Sequence, residues 1–270
     1  MVEEGLELRC HGELAELVLA RPERQNAINR GMWAALAPHC DTIEQDGVLR
    51  VVLVRGEGAT FSAGADIAEF AQVFADRQAA HDYNELVQDA LGRLERLSKP
   101  TIAVVAGNCI GGGCALAVAC DLRLAAADAR LGITPARLGL GYSLGDVRRL
   151  MALIGPARAK DMLYSARLIG AEEALRLGLV DRVGPTHELA AAGEAQARSL
   201  LALSGNSQAI VKRMAALVQA GAGKETAESR ALRDAAVEHP DFAEGRDAFL
   251  AKRPARFGPS RSGQPLRSRP

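Results

Sequence analysis

The 270-residue chain has no excess of either charge: 33 Lys and Arg stand against 33 Asp and Glu. Proteins that neutralise nucleic-acid phosphates carry a basic surplus or stripe, so a nucleic-acid partner is not expected. No apolar run is long and uninterrupted enough to span a bilayer, so no membrane partner is expected either. The first ten residues are acidic and lack the apolar core of a signal peptide, which points to the cytoplasm. Cysteines are few and odd in number, 5, with no Cys-x-x-Cys spacing. That argues against a disulfide framework or a cysteine zinc site and for reduced thiols. The 5 histidines are scattered and no His/Asp/Glu cluster has ligand spacing, so no metal or redox cofactor is expected. Neither a Walker loop nor a GxGxxG fingerprint is present.

What is present is an apolar fraction of 48%, enough for one globular domain with a sizeable core. Two glycine-rich turns stand out. Thr101 to Val105 reads as a buried strand running through Ala106 to Cys120, where Gly111, Gly112 and Gly113 open an alanine-rich buried helix. Arg50 to Arg55 reads as a second buried strand leading into Gly56 to Ile67, with Asp66 as a helix cap. The first amides of a helix lack intrahelical partners and sit at the positive end of its dipole. Two such turns side by side can aim two N–H groups at one oxygen, the arrangement of an oxyanion hole. The plain alternative is a pair of tight strand-to-helix turns.

The rest reads as alternating elements. Leu6 to Cys10 and Ala15 to Leu19 form a hairpin, and Asn29 caps a helix from Arg30 to Gln45. Ala68 to Leu97 is helical and of mixed polarity, Asp121 to Ala125 is a strand, and Leu131 to Gly141 is a loop. Ser143 caps a helix running to Ile154, and long helices follow. Cys109, Cys114 and Cys120 serve as small buried residues. Arg253 to Pro270 is rich in Arg, Pro, Ser and Gly and reads as extended or disordered. No internal repeat is evident.

Phe61 to Ile67 (FSAGADI) and Gly111 to Ala126 (GGGCALAVACDLRLAA) together resemble the enoyl-CoA hydratase/isomerase (crotonase) superfamily. So do Arg21 to Asn29, Ala171 to Val183 and Asp241 to Phe257, in family order over nearly the whole chain. The resemblance implies an α/β fold: a crotonase spiral of stacked ββα units over residues 1–200, a C-terminal helical trimerisation region over 201–258, and a flexible tail over 259–270. It implies a CoA thioester substrate, an enolate held by the Ala65 and Gly112 amides, and a homotrimer or hexamer. Coenzyme A enters only as part of the substrate, and no further cofactor is implied. Arg24, Ala27, Ala63, Ala65, Ile67, Phe249 and Lys252 match positions that meet the CoA, and Phe70, Phe74, His81 and Tyr83 stand where the acyl pocket is covered. Capping, packing or solvation explains each of these side chains equally well.

The departures bear on the reaction. Family hydratases carry two glutamates, at the positions held here by Ala115 and Pro135. Neither residue titrates, so two-glutamate hydration is not available, and the single-glutamate isomerase pattern fails at the same positions. Ile133 to Ser143 resembles the loop of methylmalonyl-CoA decarboxylases, with Tyr142 at the matching tyrosine, although those enzymes have a histidine where Ala65 stands. Tyr142 and Asp146 are the candidates for replacing the missing acid or base, with a buried phenol and a helix-start carboxylate as their structural alternatives. The readings are an acyl-CoA enzyme that is not a standard hydratase, an acyl-CoA decarboxylase, and a non-catalytic acyl-CoA-binding homologue.

Overall fold

The computed structural model describes residues 5–258, so the expected tail over 259–270 lies outside the described residues. Five strands build the large sheet with one short edge strand, and β3 and β4 are its apolar centre. β1 (Leu6–His11) and β2 (Leu14–Leu19) form the antiparallel hairpin, and β2 pairs in parallel with β3 (Val51–Gly56). The sheet continues in parallel through β4 (Thr101–Val105), then β6 (Leu122–Ala126), then the edge strand β9 (Arg182–Gly184). β4 is buried throughout and β3 over its first four residues, as valine-rich strands covered on both faces should be. A smaller sheet lies beyond the ends of these strands: β5 (Asn108–Ile110), β7 (Arg130–Gly132) and β8 (Ile169–Gly170).

The helices are α1 (Arg30–Gln45), α2 (Phe70–Val73), α3 (Arg77–Arg96), α4 (Gly112–Val118), α5 (Leu144–Ile154) and α6 (Pro156–Ser165). They continue with α7 (Ala171–Leu177), α8 (Leu189–Leu201), α9 (Gly205–Gln219), α10 (Ala227–Ala235) and α11 (Pro240–Leu250). Asn29 accepts the Met32 amide and Ser143 accepts the Asp146 amide, so the two expected caps start α1 and α5. None of the described helices is long and apolar enough to cross a membrane.

One unit recurs: a strand of the large sheet, a sharp bend, a short stretch in the small sheet, then a helix. β4, β5 and α4 make one turn, and β6, β7 and α5 the next. Single bridges, Ser62 to Cys109 and Ile28 to Ala65, extend the small sheet into the two earlier turns. The stacked ββα spiral is thus a geometric repeat without a sequence repeat. The expected loop from Leu131 begins as β7 and contains a 3-10 turn at Pro135–Leu138. Its start is strand because Leu131 pairs with both Cys109 and Ile169.

Buried charges pin the layers. Arg123 donates to the carbonyls of Leu179, Cys120 and Asp121 and pairs with Asp181, so its guanidinium is satisfied although almost fully buried. Lys99 donates to the Ile43 and Asp46 carbonyls at the end of α1. Helix α8 covers β3, β4 and β6, and at Gly193 it comes so close that a Cβ would stand 2.8 Å from Val104 Cγ2. Arg253 to Gly258 is irregular yet anchored, through Arg50 to the Phe257 carbonyl and through Glu244 to Arg253 and the Arg256 amide.

Candidate active site

The two glycine turns meet. A Cβ built on Gly112 would lie 3.6 Å from the Ala65 amide nitrogen and 3.9 Å from the Gly64 carbonyl carbon. Gly64 has φ +104, and a Cβ there would stand 2.8 Å from the Ile110 carbonyl oxygen, so glycine is required. Gly113 is needed for a different reason: a Cβ would meet the Ser62 side chain at 2.6 Å.

The direction of the Ala65 amide follows from its neighbours. Ile28 donates its amide to the Gly64 carbonyl, and Asp66 donates its amide to the Ile28 carbonyl. In extended backbone successive groups point to opposite sides, so the Ala65 N–H faces away from Ile28. On that other side the partner chain has already turned into α4 after Ile110 donated to the Ser62 carbonyl. Among the described residues neither the Ala65 nor the Gly112 amide donates to an acceptor in the chain. For Gly112 this is the ordinary state of a first helical amide.

The turn carrying Ala65 is held by one asparagine. Asn26, wholly buried with φ +53, donates from Nδ2 to the Glu57 and Thr60 carbonyls at 2.9 and 2.6 Å and accepts the Arg21 amide on Oδ1. Ser62 donates its hydroxyl to the Asn26 carbonyl and accepts the Gly64 amide. Asp66 accepts Arg21 Nη1 at 2.9 Å and the Ala68 amide. Burial pushes its carboxyl up, but these bonds and the Arg21 and Arg24 charges outweigh that and hold it below the usual range. It caps a turn, as expected, and is no free base.

Of the expected CoA contacts, Arg24 is exposed, Ala27 is half-buried and Ile67 is exposed, all on the rim of this turn. The Ala63 amide donates to the Gln25 carbonyl, so that N–H is already taken. Phe249 and Lys252 are exposed at the end of α11, which packs on Ala236–Glu238, and they make no hydrogen bond to the glycine turns within the chain. Phe70, Phe74 and Tyr83 come together: their rings stack edge to face in series at 5.1 and 5.6 Å. His81 points elsewhere and is exposed.

Ala115 is buried in α4, and Pro135 opens the 3-10 turn. Tyr142 is half-buried against the core, and its hydroxyl makes no hydrogen bond among the described residues. Burial, then the Asp146 charge, pushes its phenol well above the ordinary value, so it is a neutral donor at physiological pH. Asp146 is fully engaged: Oδ1 accepts Arg149 Nη1 at 2.9 Å, and Oδ2 accepts the Ser143 hydroxyl at 2.6 Å and Gln88 Nε2 at 2.9 Å. Arg149 also donates to Glu95, which takes Arg148 as well. This network ties α5 to α3 and gives each oxygen of Asp146 at least one donor within the chain.

Trp33 and Gln88 escaped the sequence reading. Trp33 is the only tryptophan of the chain, on α1 just past the Asn29 cap, and its ring edge lies 3.2 Å from where a Gly112 Cβ would be. Its rarity and place after the Arg21 to Asn29 motif were the available signals. A polar residue in mid-helix such as Gln88 offered none.

Five groups near the core have a pKa raised by burial: Cys40 and Cys120 reach about 12 against 9.0, and Cys109, Tyr83 and Tyr142 also rise. On unfolding the thiols ionise from 9.0 upward, whereas folded they stay protonated. Stability is therefore full below about pH 9 and falls as pH rises toward 12. Melting temperature measured across this range should stay level and then drop, more shallowly in Cys120→Ala. A level profile through pH 11 would contradict this linkage.

Among the described residues no group of three or more His, Cys, Asp or Glu is placed to hold a metal ion. The sequence profile of the enoyl-CoA hydratase/isomerase family matches residues 9–260. The crotonyl-CoA hydratase of Syntrophomonas wolfei subsp. wolfei is 34% identical, over 95% of this chain and 99% of its own. The mitochondrial Delta(3,5)-Delta(2,4)-dienoyl-CoA isomerase of Homo sapiens is 35% identical over 68% of this chain and 61% of its own. Among solved structures, an enoyl-CoA hydratase/carnithine racemase from Magnetospirillum magneticum superposes with a TM-score of 0.91 at 31% identity, covering 95% of this chain and 96% of that one.

Proposed function

The chain belongs to the enoyl-CoA hydratase/isomerase family, and from that premise we propose that it binds a CoA thioester and stabilises the enolate of the acyl group with the Ala65 and Gly112 amides. The observation that carries this reading is the pair of partnerless N–H groups brought together by Gly64 and the turn into α4. A thioester oxygen seated between them gains two donors whose orientation is set before the substrate arrives, so charge on that oxygen costs no reorganisation. Coenzyme A enters with the substrate, and Arg24, Ala27, Ala63, Ile67, Phe249 and Lys252 are the proposed contacts for it. The acyl chain lies toward Phe70, Phe74 and Tyr83.

The reaction is proposed to proceed without an enzyme carboxylate. Ala115 and Pro135 cannot titrate, and Asp146 is bound by Ser143, Gln88 and Arg149. The unpartnered Tyr142 hydroxyl favours a second reading, decarboxylation. Carbon dioxide leaves, its bonding pair becomes the enolate held by the amides, and Tyr142 either orients the departing carboxylate or gives its proton to the enolate carbon and is reprotonated from solvent. Mass spectrometry of CoA products from a mixture of crotonyl-CoA and methylmalonyl-CoA separates the cases. Loss of carbon dioxide, abolished in Tyr142→Phe with CoA binding kept, is the result decarboxylation requires. Gain of water would establish hydration without the glutamate pair. Turnover of neither, with thioester bound, would leave a binding homologue.

We further propose that residues 1–200 form the catalytic core and 201–258 the helical region that joins subunits. α9 buries none of its own residues, and Val211, Val218, Val237, Phe242, Phe249 and Leu250 are exposed apolar side chains. Such a concentration in one region of a single chain marks an interface. Sedimentation equilibrium is expected to give three chain masses or a multiple of three; a monomer would refute the assignment.

A further inference from the structure

Tyr142 stands between a loop that packs on little and a helix start that is tied down. Ala136 to Gly139 and Gly141 are exposed, and a Cβ built on Gly139 or Gly141 would meet nothing within 4 Å. The backbone bonds of this loop close on itself, from Arg137 to Thr134 and from Leu140 to Pro135. The other side of Tyr142 is different. Ser143, its neighbour in the chain, donates its hydroxyl to Asp146 Oδ2 at 2.6 Å and accepts the Asp146 amide at 3.1 Å. Gln88 Nε2 reaches the same Oδ2 at 2.9 Å, and Arg149 Nη1 holds Oδ1 at 2.9 Å. Gln88 belongs to α3, which is anchored in the core through Ala90, Leu91 and Leu94. It comes this close because position 145 is glycine: a Cβ there would stand 2.6 Å from Gln88 Oε1.

We propose that Gln88 and Asp146 are positioning residues for Tyr142. They fix the start of α5 against α3, and through Ser143 they set where the phenol stands relative to an acyl group held at Ala65 and Gly112. This rests on the acyl-CoA reading above in which Tyr142 acts on the substrate. A carboxylate suits the task, because its two oxygens carry enough lone pairs to accept from Ser143, Gln88 and Arg149 together. Charge also makes such bonds shorter and stronger than neutral ones. Asp146 acts on the phenol itself as well: after burial, its charge is the largest influence keeping Tyr142 protonated, with Cys114 and Cys109 acting in the same sense and Arg149 against it. The precision matters because a displacement of about 1 Å in a reacting group can cost about a hundredfold in rate.

A double-mutant cycle on the full chain tests this, read by single-turnover kinetics with crotonyl-CoA and methylmalonyl-CoA. Gln88→Met removes the donor, and Gly145→Ala pushes Gln88 away without touching any functional group. Each should lower the rate by about tenfold or more, with thioester affinity within about twofold of the wild type. In a Tyr142→Phe background the same changes should alter the rate by less than about twofold, since no hydroxyl is left to place. Equal losses in both backgrounds would mark a merely structural role and overturn the proposal. Carbon-13 spectra of the chain labelled at its 3 tyrosines give a readout that needs no turnover, with Tyr142 assigned from Tyr142→Phe. The Tyr142 resonance should shift or broaden in Gln88→Met and Gly145→Ala while that of exposed Tyr164 stays. An unmoved Tyr142 resonance in both folded variants would overturn the proposal and leave the acyl-CoA reading standing. A resonance that moves in a protein that turns over neither thioester would support the positioning network and count against the catalytic reading instead.

Discussion

Ala65→Pro is expected to lower turnover by about 10²–10³-fold, the usual cost of removing one oxyanion donor, while the protein still folds. The expectation comes from the hydrogen-bond pattern around the residue. The Ala65 N–H has no acceptor in the chain, so deleting it removes nothing that folding uses. The bonds on either side, Ile28 to Gly64 and Asp66 to Ile28, involve other atoms and remain. Proline also restricts the residue before it, and that residue is Gly64, which tolerates conformations other residues avoid. The loss should appear in kcat, because the amides act on charge that develops during reaction, and in thioester affinity too, because the proline Cδ stands where the N–H met the oxygen. Single-turnover kinetics on whichever thioester is turned over, with titration of the same thioester and a melting curve, separates these terms. A folded variant that works at the wild-type rate would show that the Ala65 amide is not a donor to the reacting oxygen.

Asn26→Ala is expected to be the most damaging single truncation near the site. Alanine leaves the Glu57 and Thr60 carbonyls without a donor and the Arg21 amide without its acceptor. Each orphaned buried group costs about 1–3 kcal/mol. With the Glu57 and Thr60 residues only half-buried, about 3 kcal/mol in total is the reasonable sum. For a chain of this size that corresponds to a fall of roughly 6–12 °C in melting temperature. Turnover should fall further than stability alone accounts for, since Asn26 joins the Arg21 to Asn29 segment to the turn that presents Ala65. Differential scanning calorimetry reads the first effect. An unchanged melting temperature would show that the two turns hold each other without this side chain.

Much of the architecture was legible because its causes are local. Asn29 and Ser143 announce their helices by chemistry that acts within three residues, and α1 and the helix from Leu144 begin and end where expected. The apolar runs of β3 and β4 announce buried parallel strands. The closeness of Ala65 to Gly112 was legible only through family resemblance, since nothing within either segment brings them together. The geometry behind it, an amide freed because its strand partner turns into a helix, is a property of the spiral.

Other features depend on side chains far apart in sequence. Asp146 could be read equally as an acid, a base or a helix cap. Its bond to Gln88, 58 residues away, together with Ser143 and Arg149, occupies the carboxylate. Trp33 stands on α1 with no mark in its own segment of what it packs against. Its place over Gly112 comes from packing between the first and third turns of the spiral.

By itself the sequence determined the elements, their caps, the glycines that permit close approach, and the absence of carboxylates at positions 115 and 135. These are matters of backbone freedom, local hydrogen bonding and residue chemistry, which a chain carries wherever it folds. Only the tertiary structure decided which amides lack partners and which carboxylate is held by distant side chains. Those depend on hydrogen bonds and contacts between distant segments, and such pairings exist only once the turns of the spiral have stacked.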